Sequence, residues 1–138
     1  MTLTTTAIEL FVPGKPIPQG SKRHVGRGIM VEAAADLAPW RERIALAAHS
    51  TRNQTERRIH PGAVTLRLTF VLPRPKSTPK HTPPAIKRPD IDKITRAVCD
   101  AITGILIADD AQIVDLHATK RIAETGETPG VWIRMEPA

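Results

Sequence analysis

Apolar side chains alternate with polar ones over residues 63–72, where Val64, Leu66, Leu68 and Phe70 share one face. That period belongs to a half-buried strand. The same signal returns over residues 7–12, ended by Pro13-Gly14, and over residues 112–120, where Val114, Leu116 and Ala118 face one way. Residues 130–135 form a further strand, reached through a hairpin-like connection at 124–129 that contains Gly126, and residues 28–31 are a short strand candidate. Alternation gives way to a three-and-four spacing in two places. From Asp36 onward, Leu37, Trp40, Ile44 and Ala47/Ala48 make one stripe; Pro39 suits only a first turn, so the regular helix is expected from about Pro39 to His49, with Trp40 as a core anchor. Later, Ile91, Ile94, Val98, Ala101/Ile102 and Ile105 make a second stripe. Pro89 disfavours helical geometry in the residue before it, which starts this helix near Asp90, and Gly104 is a natural terminator. Several strands and two helices in 138 residues predict one α+β domain spanning residues 1–138. The expected form is a mainly antiparallel or mixed sheet with two helices packed on one side, without internal repeat.

The polar stretches change this picture because they carry charge of one sign. Residues 14–27 include Lys15, Lys22, Arg23 and Arg27 and no acid; residues 73–89 hold six prolines and five Lys/Arg (Arg74, Lys76, Lys80, Lys87, Arg88), again without an acid. The whole chain has 20 Lys+Arg against 14 Asp+Glu, a net charge of +6. Such a balance favours a polyanionic partner, and loops this long within a small domain are often functional. Two Trp, two Phe and no Tyr argue for contacts to phosphates rather than base stacking. A nucleotide-binding loop is excluded at residues 20–22. The order there is Gly-Ser-Lys, and Pro16 and Pro18 remove N–H groups that a phosphate would need. Cys99 is the only cysteine, which rules out an intrachain disulfide and any zinc site built on several cysteines; beside an apolar stripe it reads as a small core residue. The first residues lack a basic segment followed by an apolar run, and no apolar run reaches membrane length, so a cytoplasmic protein is expected.

Acids concentrate where the basic loops end. Asp90 and Asp92 open the second helix, and Asp109-Asp110 follow it. Taken singly, each has an ordinary structural use: acids are good helix caps, are favoured in a first turn and are common in polar turns. Taken together they form an Asp-x-Asp at a helix start, a second acidic pair one helix later, and basic loops nearby. Hard cations such as magnesium need a few clustered carboxylates, with water and phosphate oxygens completing the shell. On the polar side of the same helix lie Lys93 and Arg96, the latter four residues from Asp92 and therefore its neighbour.

The segments 88–93 (Arg-Pro-Asp-Ile-Asp-Lys), 97–104 (Ala-Val-Cys-Asp-Ala-Ile-Thr-Gly) and 109–114 (Asp-Asp-Ala-Gln-Ile-Val) resemble the core motif of the RusA family. These are small Holliday-junction resolvases, mostly of phage or prophage origin. The similarity extends to residues 16–23, 39–41 and 73–76, and keeps the family's order. It implies a homodimeric, magnesium-dependent endonuclease that acts on four-way DNA junctions in recombination and repair. Asp90, Asp92 and Asp110 stand at the positions of the catalytic, metal-binding acids. The sequence departs from the pattern at one place. Where the family has Asn after the second acid and Lys a turn later, this chain has Lys93 and Arg96, and either is a candidate for the lysine's role. Arginine stays protonated and cannot shuttle a proton.

Lys15, Lys22, Arg23, Arg27, Arg74, Lys76, Lys87 and Arg88 are then candidates for gripping phosphates. No nucleotide cofactor and no membrane are implied. A restriction-type nuclease would need an acid-x-Lys downstream of Asp90, and none exists. The alternative that remains is a non-catalytic, basic nucleic-acid-binding module in which all the acids are caps and turns. A protein-docking role for the basic, proline-rich strip is a third reading.

Overall fold

A computed structural model describes residues 7–20 and 27–138, with side chains placed for all of these except 27–34. In chain order the elements are β1 (Ile8–Pro13), α1 (Arg27–Gln54), β2 (Val64–Leu72), α2 (Ile91–Ile102), β3 (Ile113–Ile122) and β4 (Gly130–Pro137). The strands form one mixed sheet in the order β1-β4-β2-β3. Strand β4 runs antiparallel to both β1 and β2, while β3 lies parallel to β2 at the sheet edge. The domain is α+β, and no helix among the described residues is long and apolar enough to cross a membrane.

The alternating residues of β1, β2 and β4 face one buried layer, whereas on β3 an irregularity at Val114 breaks the expected common face of Val114, Leu116 and Ala118 and leaves Val114 and Leu116 exposed. Ile8, Leu10 and Val12 of β1, Leu66, Leu68 and Phe70 of β2, and Val131, Ile133 and Met135 of β4 pack with Trp40, Ile44 and Ala48 of α1 and with Ile94, Ala97, Val98, Ala101 and Ile102 of α2. Burial of side chains this large is the main term favouring the fold. The other sheet face is wet and charged. Glu9, Arg134 and Arg67 lie abreast on β1, β4 and β2, and Glu136 takes ion pairs from both arginines. On the same face the Phe11 and Trp132 rings touch, with centroids 4.8 Å apart.

Three expectations are corrected. Helix α1 begins at Arg27, so the strand expected at residues 28–31 is helix, and Pro39 stands inside α1 rather than in its first turn. The run from Val31 to Ala38 is rich in alanine, with Glu32 and Leu37. These strong helix formers carry the helix across the one N–H that proline lacks. The segment after β3 is not a hairpin, because β2 lies between β3 and β4. Instead the chain crosses one strand width over a turn held by Glu127, which accepts two 2.7 Å bonds from Arg121 and one from the backbone of Glu124. Those donors hold the Glu127 carboxyl down at about 2.

Candidate active site

Helix α2 runs beneath the edge strand β3. Its strongly amphipathic sequence buries Ile94, Ala97, Val98, Ala101 and Ile102 and leaves the opposite face open. Asp92, Arg96 and Cys99 recur at four and three residues, so they share that open face. Asp92 and Cys99 are separated along the axis by about 10 Å, at 1.5 Å per residue. On the strand, Leu116, Ala118 and Lys120 are paired with Leu66, Leu68 and Phe70, which puts all three on the helix side of the sheet. A shallow cavity of about 290 Å³ opens between the two elements, lined by Cys99, Asp110, Ile113, Val114, Asp115 and Leu116.

The acids differ in what they do for the backbone. Asp90 is the residue at the N-cap of α2, yet its side chain makes no capping bond; its carboxylate lies 3.7 Å from the Lys93 ammonium, and both groups are solvent-exposed. Asp109, in contrast, is a working cap. It accepts from the N–H of Ala111 at 3.0 Å, while the Gln112 side chain accepts in return from the N–H of Asp109 at 3.0 Å. Gln112 also donates at 2.8 Å to the carbonyls of His60 and Gly62, which anchors the turn to the start of β2. With Asp109 closing the turn, the exposed Asp110 is presented beside Cys99. Its carboxyl is raised, first by a hydrogen bond with Asp109, then by partial loss of hydration and by the negative fields of Asp109 and Asp100. Asp109 moves the other way, because the N–H of Ala111 stabilises its charge. Burial, followed by the fields of Asp110 and Asp100, raises the Cys99 thiol to about 11, and such a thiol is no nucleophile near neutral pH.

Asp90 and Asp92 therefore stand at one end of the α2–β3 groove, Arg96 along it and Asp110 at the other end. Among the described residues no three His, Cys, Asp or Glu side chains form a group able to hold a metal. The donor set nonetheless suits a hard cation. The carboxylates are exposed, Asp110 is under like-charge repulsion that a cation would relieve, and magnesium asks for only one or two protein carboxylates beside water and phosphate.

The basic candidates divide. Lys15, Lys76, Lys87 and Arg88 are exposed. Arg74 is engaged by its own loop and by the segment after β3: it donates to Thr82, Pro79 and Ala123 and lies 4.0 Å from Glu124. Lys22 and Arg23 lie outside the described residues, and only the backbone of Arg27 is described. Two contributors escape a reading of the sequence. Gln19 lays the first basic loop on α2, its N–H bonded to the Lys93 carbonyl at 3.0 Å and its amide to the Asp100 carboxylate, 81 positions away. Lys120 bonds the carbonyls of Lys87 and Pro89, just ahead of Asp90. Only the alternation of Leu116, Ala118 and Lys120 hinted that this lysine faces the helices.

The model of the family Endodeoxyribonuclease RusA matches residues 13–136. The match runs from the end of β1 into β4 and takes in Asp90, Asp92, Asp100, Asp109 and Asp110. The chain belongs to the RusA family of endodeoxyribonucleases, a family of Holliday-junction resolvases. It is also similar to the uncharacterized protein YqaN of Bacillus subtilis (strain 168), with 30% identity over 129 residues that cover 85% of this chain and 89% of that protein.

Proposed function

We propose that this chain is a magnesium-dependent, structure-selective endonuclease of the cytoplasm that works as a homodimer and resolves four-way DNA junctions by paired phosphodiester hydrolysis. The observation that carries the reading is that the Asp90 carboxylate occupies a cap position without capping, as Asp110 stands exposed beside an Asp109 that does the capping. Acids required only by the backbone would be bonded to it. Asp90 and Asp92 at one end of the groove and Asp110 at the other would each hold magnesium, which, when bound, would lower the pKa of a water and offset charge on the scissile phosphate. Arg96, always protonated and on the face shared with Asp92, would stabilise charge on the phosphate without moving a proton. Lys93 would keep Asp90 oriented through the 3.7 Å pair until an ion competes for the carboxylate. Lys15, Lys76, Lys87 and Arg88 would draw the DNA arms toward the groove.

The test is a labelled four-way junction incubated with and without magnesium, beside a linear duplex of equal length, with sizing at low protein concentration. A homodimer that binds the junction more tightly than the duplex, loses affinity steeply with salt and introduces paired nicks only with metal is the expected outcome. A monomer that cuts both substrates alike would leave a nuclease without the junction specificity. Binding without any cleavage would leave a basic binding module.

Arg96 and Lys93 can be separated in the same assay. Arg96→Ala should slow cleavage by about a hundredfold, the usual effect of removing one transition-state donor, and change junction affinity far less. Arg96→Lys should keep most of the rate. If Lys93→Ala alone carries the loss, the role belongs to Lys93.

A further inference from the structure

We infer that Lys120 is a positioning residue for the Asp90–Asp92 segment, an inference that rests on the catalytic reading above. Lys120 lies near the end of β3, opposite Phe70 of β2, and its side chain leaves the sheet on the helix side. Its ammonium donates at 2.8 Å to the carbonyl of Lys87 and at 2.8 Å to that of Pro89. Neither carbonyl accepts from a backbone N–H among the described residues, since this stretch belongs to no helix or strand. Asp90 follows directly, and its own carbonyl takes the first helical bonds, from the N–H groups of Lys93 and Ile94. Its side chain has no capping bond to fix it. The 3.7 Å pair with Lys93 bears on the Asp90 carboxylate from within the helix, but where the residue itself stands depends on how the backbone at Lys87–Pro89 is held, and among the described residues Lys120 is the side chain that holds it.

The arrangement has a consequence for the groove as a whole. Strand β3 starts directly after the Asp110 turn and carries Lys120 seven residues beyond its first residue. One strand thus presents Asp110 at one end of the groove and fastens the Asp90 loop at the other. Strand β3 is paired with β2 from Ile113 to Ile122, with one irregularity at Val114, and so ties the two groups of acids to the same sheet edge. A lysine suits the task. Its ammonium offers three donors at the end of a long stem, so two backbone carbonyls can be gripped together. A charged donor to each carbonyl is stronger than a neutral one, and the positive charge also lies close to where Asp90 gathers negative charge.

The experiment compares wild type, Lys120→Met, Lys120→Gln, Lys120→Arg and Asp90→Asn on a four-way junction in magnesium. Turnover and KM are measured separately, and hydrogen exchange is followed in peptides covering residues 86–94 and 64–72. Lys120→Met should lower kcat at least tenfold with KM for the junction unchanged, and should speed exchange in 86–94 but not in 64–72. Lys120→Arg, which can still donate to both carbonyls, should recover most of the rate. Should the Met variant fail to fold, Lys120→Gln, which keeps one donor, is judged by the same criteria. Full kcat in both the Met and Gln variants, or exchange raised equally in both peptides, overturns the positioning role while leaving the nuclease reading intact provided Asp90→Asn is dead. If Asp90→Asn cleaves like wild type, the nuclease reading fails and the role of Lys120 falls with it.

Discussion

Asp90→Asn, Asp92→Asn and Asp110→Asn are each expected to abolish junction cleavage while folding and junction binding stay close to wild type. The size of the loss should be at least about a thousandfold, which is roughly 4 kcal/mol of barrier. Asparagine keeps the shape of the side chain and caps helices as well as aspartate, so a structural use of these residues would survive the change. What asparagine lacks is the negative charge that a hard cation demands. The structure sharpens the comparison because the acids are not equivalent. Asp90 has no cap bond to lose, and the exposed Asp110 leaves the capping of its turn to Asp109. Asp109→Asn and Asp100→Asn are the matched controls. Asn at 109 can still accept from the N–H of Ala111, and Asn at 100 can still meet Gln19; both should keep cleavage within about tenfold of wild type, the residue of a screened loss of charge. Cleavage retained in all three of the first group would remove the catalytic assignment.

The ease with which these acids could be singled out, and the difficulty of seeing what holds them, have one physical origin. Local patterns are visible in a sequence because they need only neighbours. Val64, Leu66, Leu68 and Phe70 alternate, Ile94, Val98 and Ala101 recur at helical spacing, and all seven are in the core. The same locality explains the error at Pro39, where a rule about one residue was overridden by the helix formers around it. Pairing between strands is not local. Alternation identifies β3 and β4 without saying that β2 comes between them, and a seven-residue connection suits a hairpin or a skipped strand equally. The site follows the same division. Its acids are clustered along the chain and so could be found, whereas Gln19 and Lys120 act on partners up to 81 and 33 positions away. Neither carries a local signal of its role. Nor could spacing reveal that Asp109 rather than Asp110 would be the cap, since the two are adjacent and chemically identical; the choice is made by the N–H of Ala111 and the reach of Gln112.

Replacing Gly130 by alanine should destabilise the fold by about 3 kcal/mol, at the upper end of overpacking effects, and lower the melting temperature on the order of 10 °C. Gly130 is the first residue of β4, paired with Pro13 of β1 on one side and Val71 of β2 on the other. A Cβ built there would stand 2.3 Å from the Val12 carbonyl oxygen and 2.6 Å from the Phe11 ring. The ring lies over this glycine because Phe11 is opposite Trp132 and leans against it, so the missing side chain is what lets the aromatic pair form. Gly126→Ala is the comparison: it has a φ of +82° but open space around it, and should cost only about 1 kcal/mol of backbone strain. The contact with the ring can be relieved by adding Phe11→Ala, but the one with the Val12 carbonyl cannot, since it involves backbone. The double variant should therefore recover little stability, and a full recovery in thermal melts would show that the ring alone excludes a side chain. The effect should also reach the groove. Strand β1 leads directly into the loop that Gln19 fixes to Lys93 and Asp100, and the N–H of Gly14 is bonded to the Pro129 carbonyl at 2.9 Å, next to the mutated residue. Loosening that seam should weaken junction binding in Gly130→Ala before the protein unfolds, visible as reduced affinity at temperatures well below its melting point.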